Sequence, residues 1–148
     1  QRETAYAGIL KTSPDIGMYT SVETGDCSIR NAFAANDAVS FGSIINAYTQ
    51  PFLLLYNHRK DRGYRMEAFA KAIRQSAAKP VCIGVIGEHK KACARYMQRT
   101  TGIRAQAVER PKEWIQAQNV RHVLCAGNIK GEGRQFLEEM IEEARQNV

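Results

Sequence analysis

The chain has 148 residues, of which 44% are hydrophobic and 24% charged, a composition that suits one ordinary globular domain with a real core. No apolar run approaches the ~20 residues of a membrane-spanning helix, and a net charge of +6, from 21 basic and 15 acidic residues, points to anionic partners. Nucleic acid is not expected among them: the basic residues are spread along the chain, without a stripe of cations and interleaved aromatics, and the same charge suits ATP and glutamate.

The opening Gln1-Arg2-Glu3 has no Met and no signal-peptide pattern, and reads like a segment from within a longer polypeptide. Arg2 to Lys11 suggests a short helix, and Ser13-Pro14-Asp15-Ile16-Gly17 breaks it. Met18 to Val22 and Cys27 to Phe33 look extended, with Gly25 in the turn between them, a β-hairpin. Ala38 to Tyr48 follows as a helix with Ile44, Ile45 and Tyr48 along one face. Then strands and helices alternate. Phe52 to Asn57 reads as a buried strand, His58 to Tyr64 as a polar loop, and Arg65 to Ser76 as a helix. Val81 to Ile86 is the next strand, followed by a helix from Glu88 to Thr100 and a short strand from Ala105 to Val108. Pro111 starts another helix, His122 to Ala126 is apolar and extended, and the Gly127 to Gly133 loop opens an amphipathic helix over Gln135 to Gln146. This alternation predicts a single α/β domain over residues 1–148: a Rossmann-like, mostly parallel sheet with helices on both faces and an N-terminal β-hairpin.

In such a sheet, ligands collect beyond the carboxyl ends of the strands. Three polar segments should meet there: Asn36-Asp37, Asn57 to Arg65, and Gly127 to Gly131. In the second, Arg59 and Arg62 offer planar forks for carboxylate or phosphate, and Asp61 between them could hold one guanidinium. The same loop also reads as an exposed charged turn. Gly127 and Gly131 permit close backbone approach at a helix N-terminus, or simply a tight turn. Asp37 fits an N-cap as well as a catalytic role. The histidines show no metal-ligand spacing. Cys27, Cys82, Cys93 and Cys125 have neither C-x-x-C nor zinc-finger spacing; Cys82 and Cys125 read as small buried hydrophobes, a pattern that suits a reducing cytoplasm. No G-x-x-x-x-G-K-[ST] cradle is present, so the chain alone is not expected to bind ATP in the P-loop manner.

These segments also carry a resemblance. Asn31-Ala32-Phe33-Ala34-Ala35-Asn36-Asp37-Ala38-Val39-Ser40 resembles the F-A-A-N-D-x-x-S segment of the poly-γ-glutamate synthase ligase subunit, of the Mur ligase superfamily. Asn57-x-Arg59-x-Asp61-Arg62-x-x-Arg65 is similar to its N-x-R-x-D-R-x-x-R stretch, and Gly127-Asn128-Ile129-x-Gly131 to its G-N-I-H-G. Pro14-Asp15-Ile16-Gly17-Met18 falls where the family has P-D-P-G-A-M. The matches run in order across almost the whole chain.

The resemblance implies the C-terminal, closing domain of an ATP- and Mg²⁺-dependent amide ligase that adds glutamate to a γ-linked polymer through an acyl phosphate. The P-loop would belong to an upstream ATPase domain, and this chain alone would be inactive. It further implies that Asn36 and Asp37 face phosphates and metal as catalytic residues. Asn57, Arg59, Asp61, Arg62, Arg65 and Asn128 would meet glutamate or polymer carboxylates, with Gly127 and Gly131 at the cofactor and no metal ligand in the chain. Partners would be poly-γ-glutamate, the upstream domain and membrane subunits of the synthase, at the cytoplasmic face, with oligomerisation possible. Related ligases often carry D-x-A-H where this chain has Phe33-Ala34-Ala35-Asn36, so roles of that Asp and His do not transfer. Lys130 replaces the His of G-N-I-H-G, and with His58 and Lys60 adds positive charge that would strengthen contact with a polyanionic chain. The competing reading is a non-catalytic module for anionic ligands or for assembly.

Overall fold

The computed structural model describes residues 20–33, 35 and 37–146. The expected helix over Arg2 to Lys11 and the break after it lie outside the described residues. Among the described residues, six strands share one sheet: β1 Ser21–Glu23, β2 Ser28–Asn31, β3 Phe52–His58, β4 Ile83–Gly87, β5 Ala105–Ala107 and β6 His122–Gly127. Five helices accompany them: α1 Ala38–Asn46, α2 Gly63–Gln75, α3 Lys90–Thr101, α4 Pro111–Gln118 and α5 Glu132–Gln146. The strand order is β1-β2-β6-β3-β4-β5, with β1 and β2 antiparallel and every other pairing parallel. This is the expected Rossmann-like sheet with its N-terminal hairpin. Among the described residues no helix is long and apolar enough to cross a membrane.

Strand β3 is buried along its whole length, as a central parallel strand covered on both faces must be. Leu53 and Leu55 face one layer, where they meet Trp114 and Ile115 of α4 and Phe136, Leu137 and Met140 of α5. Phe52, Leu54 and Tyr56 face the other, against Phe41 and Ile45 of α1, Phe69, Ala70 and Ile73 of α2, and Cys93, Ala94 and Met97 of α3. All four cysteines are buried and free, as their place in apolar runs implies. Burial pushes the Cys93 thiol up to about 12 and raises the thiols of Cys27 and Cys125 too, so none of these three is poised as a nucleophile.

Two helices start earlier than their apolar periodicity suggests, α2 at Gly63 and α5 at Glu132. Glycine weakens a helix interior but is tolerated in a first turn, where packing decides. Gly133 shows why it is there: a Cβ would come within 2.6 Å of the Asn57 side-chain nitrogen. Helices α3 and α4 stop at residues in the left-handed conformation, Gly102 at φ 76° and Asn119 at φ 55°.

Gly84 of β4 gives α4 its seat, because a Cβ there would lie 2.8 Å from the Trp114 ring. Gly84→Ala should therefore cost about 1–3 kcal/mol through overpacking. Urea unfolding followed by the emission of Trp114, the only tryptophan, measures it. An unchanged midpoint and spectrum would show that the contact is loose.

Candidate functional site

The chain leaves β3 and β6 towards opposite faces of the sheet: α2 follows β3 on one side and α5 follows β6 on the other. The two strands are neighbours, so a crevice opens where they end, at the paired residues Asn57 and Gly127.

Asn57 fills this switch point with its own side chain. It is buried, and its amide donates to the backbone carbonyls of Asn128 and, at 2.7 Å, of Lys130. The Asn57 carbonyl receives the Asn128 N–H at 2.9 Å. Three glycines make room. A Cβ on Gly87 would meet Asn57 Oδ1 at 2.4 Å, one on Gly127 would meet the Asn57 carbonyl at 2.4 Å, and Gly133 is excluded as described above. Gly87 and Gly127 also have φ of 95° and 96°, which glycine adopts without strain. Asn57 and Gly127 thus form the floor of the edge, while Gly131, at φ 65°, faces open space before α5. The Asn128 side chain folds back on its own loop, Oδ1 accepting the Lys130 N–H at 2.7 Å.

The β3–α2 loop lies above this floor. Asp61 holds Arg59, Oδ2 to Nη2 at 2.9 Å, rather than Arg62. Arg62 stands at the N-cap position of α2 and donates from Nη1 to the Tyr64 hydroxyl at 3.1 Å, while its Nε is buried and unpartnered among the described residues. Arg65 is half-buried in the first turn of α2. The composition of the loop gives no hint of how His58 behaves. It is 7% exposed, so its charge is not on offer at the surface as the sequence suggested. Its Nδ1 lies 2.7 Å from the Glu88 carbonyl, which only accepts, so Nδ1 carries the proton and Nε2 is left buried with no partner. A buried acceptor and a buried donor, His58 Nε2 and Arg62 Nε, therefore stand without partners in one five-residue stretch. The signal that could have found His58 is its place two residues after the apolar run Phe52 to Tyr56, still within the buried strand.

The next turn is tied to this loop. Glu88 N–H donates to the His58 carbonyl at 2.9 Å, and its Oε1 accepts the Lys60 N–H at 3.1 Å. His89 then takes φ 51°, an uncommon conformation for a side-chain-bearing residue, at the start of α3. Neither α2 nor α3 has a side-chain cap at its N-terminus, so their first N–H groups and positive dipole ends point to this edge. Lys90 is not free to join them. It binds Glu132 at 3.0 Å and Glu109 at 3.3 Å, and Glu132 also accepts the Gly87 N–H at 3.1 Å. Burial pulls the Lys90 ammonium down, but the two carboxylates outweigh it and its pKa is raised.

Asp37 lies beyond the end of β2, which runs parallel to β6, so it belongs to the same edge. It caps α1, accepting from the Ser40 N–H at 2.8 Å and the Ser40 hydroxyl at 2.9 Å. These bonds hold its carboxyl below the usual range. Asn36 lies outside the described residues. Among the described residues no group of three or more His, Cys, Asp or Glu is arranged to hold a metal ion. A cavity of about 450 Å³ lies elsewhere, lined by Cys27, Lys112, Asn119, Arg121 and Glu143 among others. It sits at the opposite edge of the sheet, where Lys112 is already paired with Glu143.

Residues 19–143 match the family model of the poly-gamma-glutamate synthase CapB C-terminal domain. The chain belongs to this family. No curated protein matches it. As a domain of poly-γ-glutamate synthase, it serves the synthesis of that polymer. The arginine loop and the uncapped N-termini of α2 and α3 are the parts of this synthase domain best suited to anions.

Two outcomes test the local assignments. Asn57→Asp removes both donors and sets a carboxylate against two carbonyls, and should cost about 2–4 kcal/mol of stability; faster amide exchange at residues 128–131 would localise the loss. The depressed Asp37 pKa means that its charge stabilises the fold above the ordinary carboxylate value of ~3.9 and ceases to do so as pH falls through the lower folded value. The Tm difference between the wild type and Asp37→Asn should therefore be full at neutral pH, start to shrink below about pH 4 and vanish only below the lower folded value.

Proposed function

We propose that this domain closes over the active site of an ATP-dependent amide ligase that adds glutamate to poly-γ-glutamate. In that reaction ATP supplies a phosphoryl group that activates a carboxylate as an acyl phosphate, an amine attacks the carbonyl, and phosphate leaves. The observation that carries the reading is a convergence: Arg59, Arg62 and two uncapped helix N-termini share the carboxyl edge of the sheet. Thr20, the first described residue, lies beside the end of β2 on this edge, its carbonyl accepting the Asn31 N–H at 2.9 Å. An upstream ATPase domain that met this edge would face these groups.

The residues present suit the anionic end of such a reaction. The N–H groups of α2 and α3 can receive phosphate or carboxylate oxygens without displacing a cap. Arg59, pre-oriented by Asp61, presents its guanidinium to a carboxylate with little ordering left to do. Arg62, whose Nε lacks a partner, gains one when a carboxylate arrives. Arg65 adds charge behind it, and the Asn128 loop supplies a fixed wall. Asp37 stands towards the phosphate side of the same edge in this reading, Asn36 is assigned the same task by its motif alone, and Mg²⁺ is held mainly by the upstream domain. Closure would exclude water from an intermediate that water destroys. The full synthase would work at the cytoplasmic face of the membrane.

Glutamate-dependent release of phosphate from ATP tests this. The chain alone should be inactive, and the chain joined to its upstream region active. In the joined protein, Arg59→Ala and Arg62→Ala should each lower kcat/KM for glutamate roughly 100-fold, the loss expected for a charge-assisted carboxylate contact. Release that ignores glutamate in both forms would leave an anion-binding module without this chemistry.

A further inference from the structure

Helices α2 and α3 lie on the same face of the sheet and both run away from the carboxyl edge. Their inward positions are apolar. Their outward positions carry Lys71 and Arg74 on α2, with Glu67 one turn before Lys71, and Lys91, Arg95 and Arg99 on α3, all exposed. Helix α3 has four basic residues and no acidic one. Among the described residues none of the five outward cations is in an ion pair with a carboxylate. The opposite face has the other sign: α5 carries Glu132, Glu138, Glu139, Glu142 and Glu143, and its two arginines are each paired within the helix. Cations that are scattered in the sequence are thus gathered by the fold into one ridge pair.

That arrangement works against the fold. Lys91, Arg95 and Arg99 stand four residues apart, where like charges face one another and destabilise a helix. A polyanion laid along the ridges would relieve this repulsion. We propose that the outer surface of α2 and α3 is a track for the poly-γ-glutamate chain, running from the candidate site along the two helices. The proposal rests on the reading of the domain as part of the polymerising machinery. The dimensions agree. Four residues of α-helix rise about 6 Å. A γ-linked glutamate adds two methylenes to the peptide repeat, so an extended polymer presents one carboxylate about every 6 Å.

The track's chemistry disfavours other polyanions. Single-stranded nucleic acid calls for exposed aromatics interleaved among the cations, whereas Tyr96 is half-buried beneath the Arg99 guanidinium and the one exposed aromatic of the two helices, Tyr64, sits at the site end in the first turn of α2. An acidic membrane surface calls for several exposed large hydrophobics along the same helix; among the described residues those are Val39, Tyr64 and Val81, of which Tyr64 alone is on the track.

The test is binding of fluorescently labelled poly-γ-glutamate to the whole chain at low salt, with no ATP present. A variant with Lys71, Arg74, Lys91, Arg95 and Arg99 all changed to Gln is compared with one in which Arg30, Arg104, Arg110, Arg121 and Arg145 are changed to Gln. Both lose the same charge, and thermal melts establish that each is folded. The proposal expects roughly tenfold or greater weakening, and a shallower salt dependence, in the first variant, with the second close to wild type. Equal weakening in both would overturn it, as would tighter binding of a single-stranded polynucleotide or of phosphatidylserine vesicles than of poly-γ-glutamate. Because no turnover is measured, failure here leaves the phosphate-release assay to judge the ligase reading separately, and the converse holds.

Discussion

The amide of Asn57 and the space cleared for it hold the functional edge together. One side chain, at the point where the sheet reverses its direction of winding, spans two backbone carbonyls of a loop more than seventy residues away in sequence. The arrangement needs glycine on three other elements, and each glycine has a steric reason to be there. Burying an amide is unfavourable unless its hydrogen bonds are made, so the clip and the cradle depend on one another. The result is an edge whose floor is fixed before any ligand arrives, which suits a surface that must meet a reacting group in one orientation.

Above that floor the groups divide by whether they are already engaged. Asp37, Lys90 and Asn128 are committed to partners within the fold. Among the described residues, Arg62 and His58 each keep one buried polar atom without a partner, and the first turns of α2 and α3 have no side-chain cap. The Arg59–Asp61 pair lies between, ordered yet partly exposed. An anion entering the edge would find its contacts among these last groups. The segregation of charge between the two faces extends the same logic to a polymer that carries one carboxylate per unit.

Much of this was legible in the sequence. The apolar runs at Phe52 to Tyr56, Ile83 to Ile86 and Val123 to Ala126 are each too short for a core helix and are bounded by glycine, proline or polar residues, so strands and a parallel sheet followed. The edge followed from the sheet, since the carboxyl ends of those runs carry the polar segments. What could not be read was the direction of single side chains. Asn57 and His58 are adjacent polar residues at a strand end, and both looked outward-facing. Asn57 points into a space left by Gly87 and Gly133, and His58 lies under the following loop. Those neighbours come from distant parts of the chain, and local periodicity carries no record of them. The helix starts at Gly63 and Glu132 were missed for a related reason, because packing admits a glycine that propensity would exclude.

In the closing movement proposed above, the place of Thr20, the first described residue, beside the end of β2 has a mechanical meaning. A pivot placed on the same edge as the binding groups gives them a short lever arm. Rotation about it would swing the remote edge, with Cys27 and Arg121, through the longest arc, while Arg59 and Arg62 would travel little and mainly turn. Closure would then adjust the angle at which the guanidinium groups meet a carboxylate more than it would adjust their distance from it.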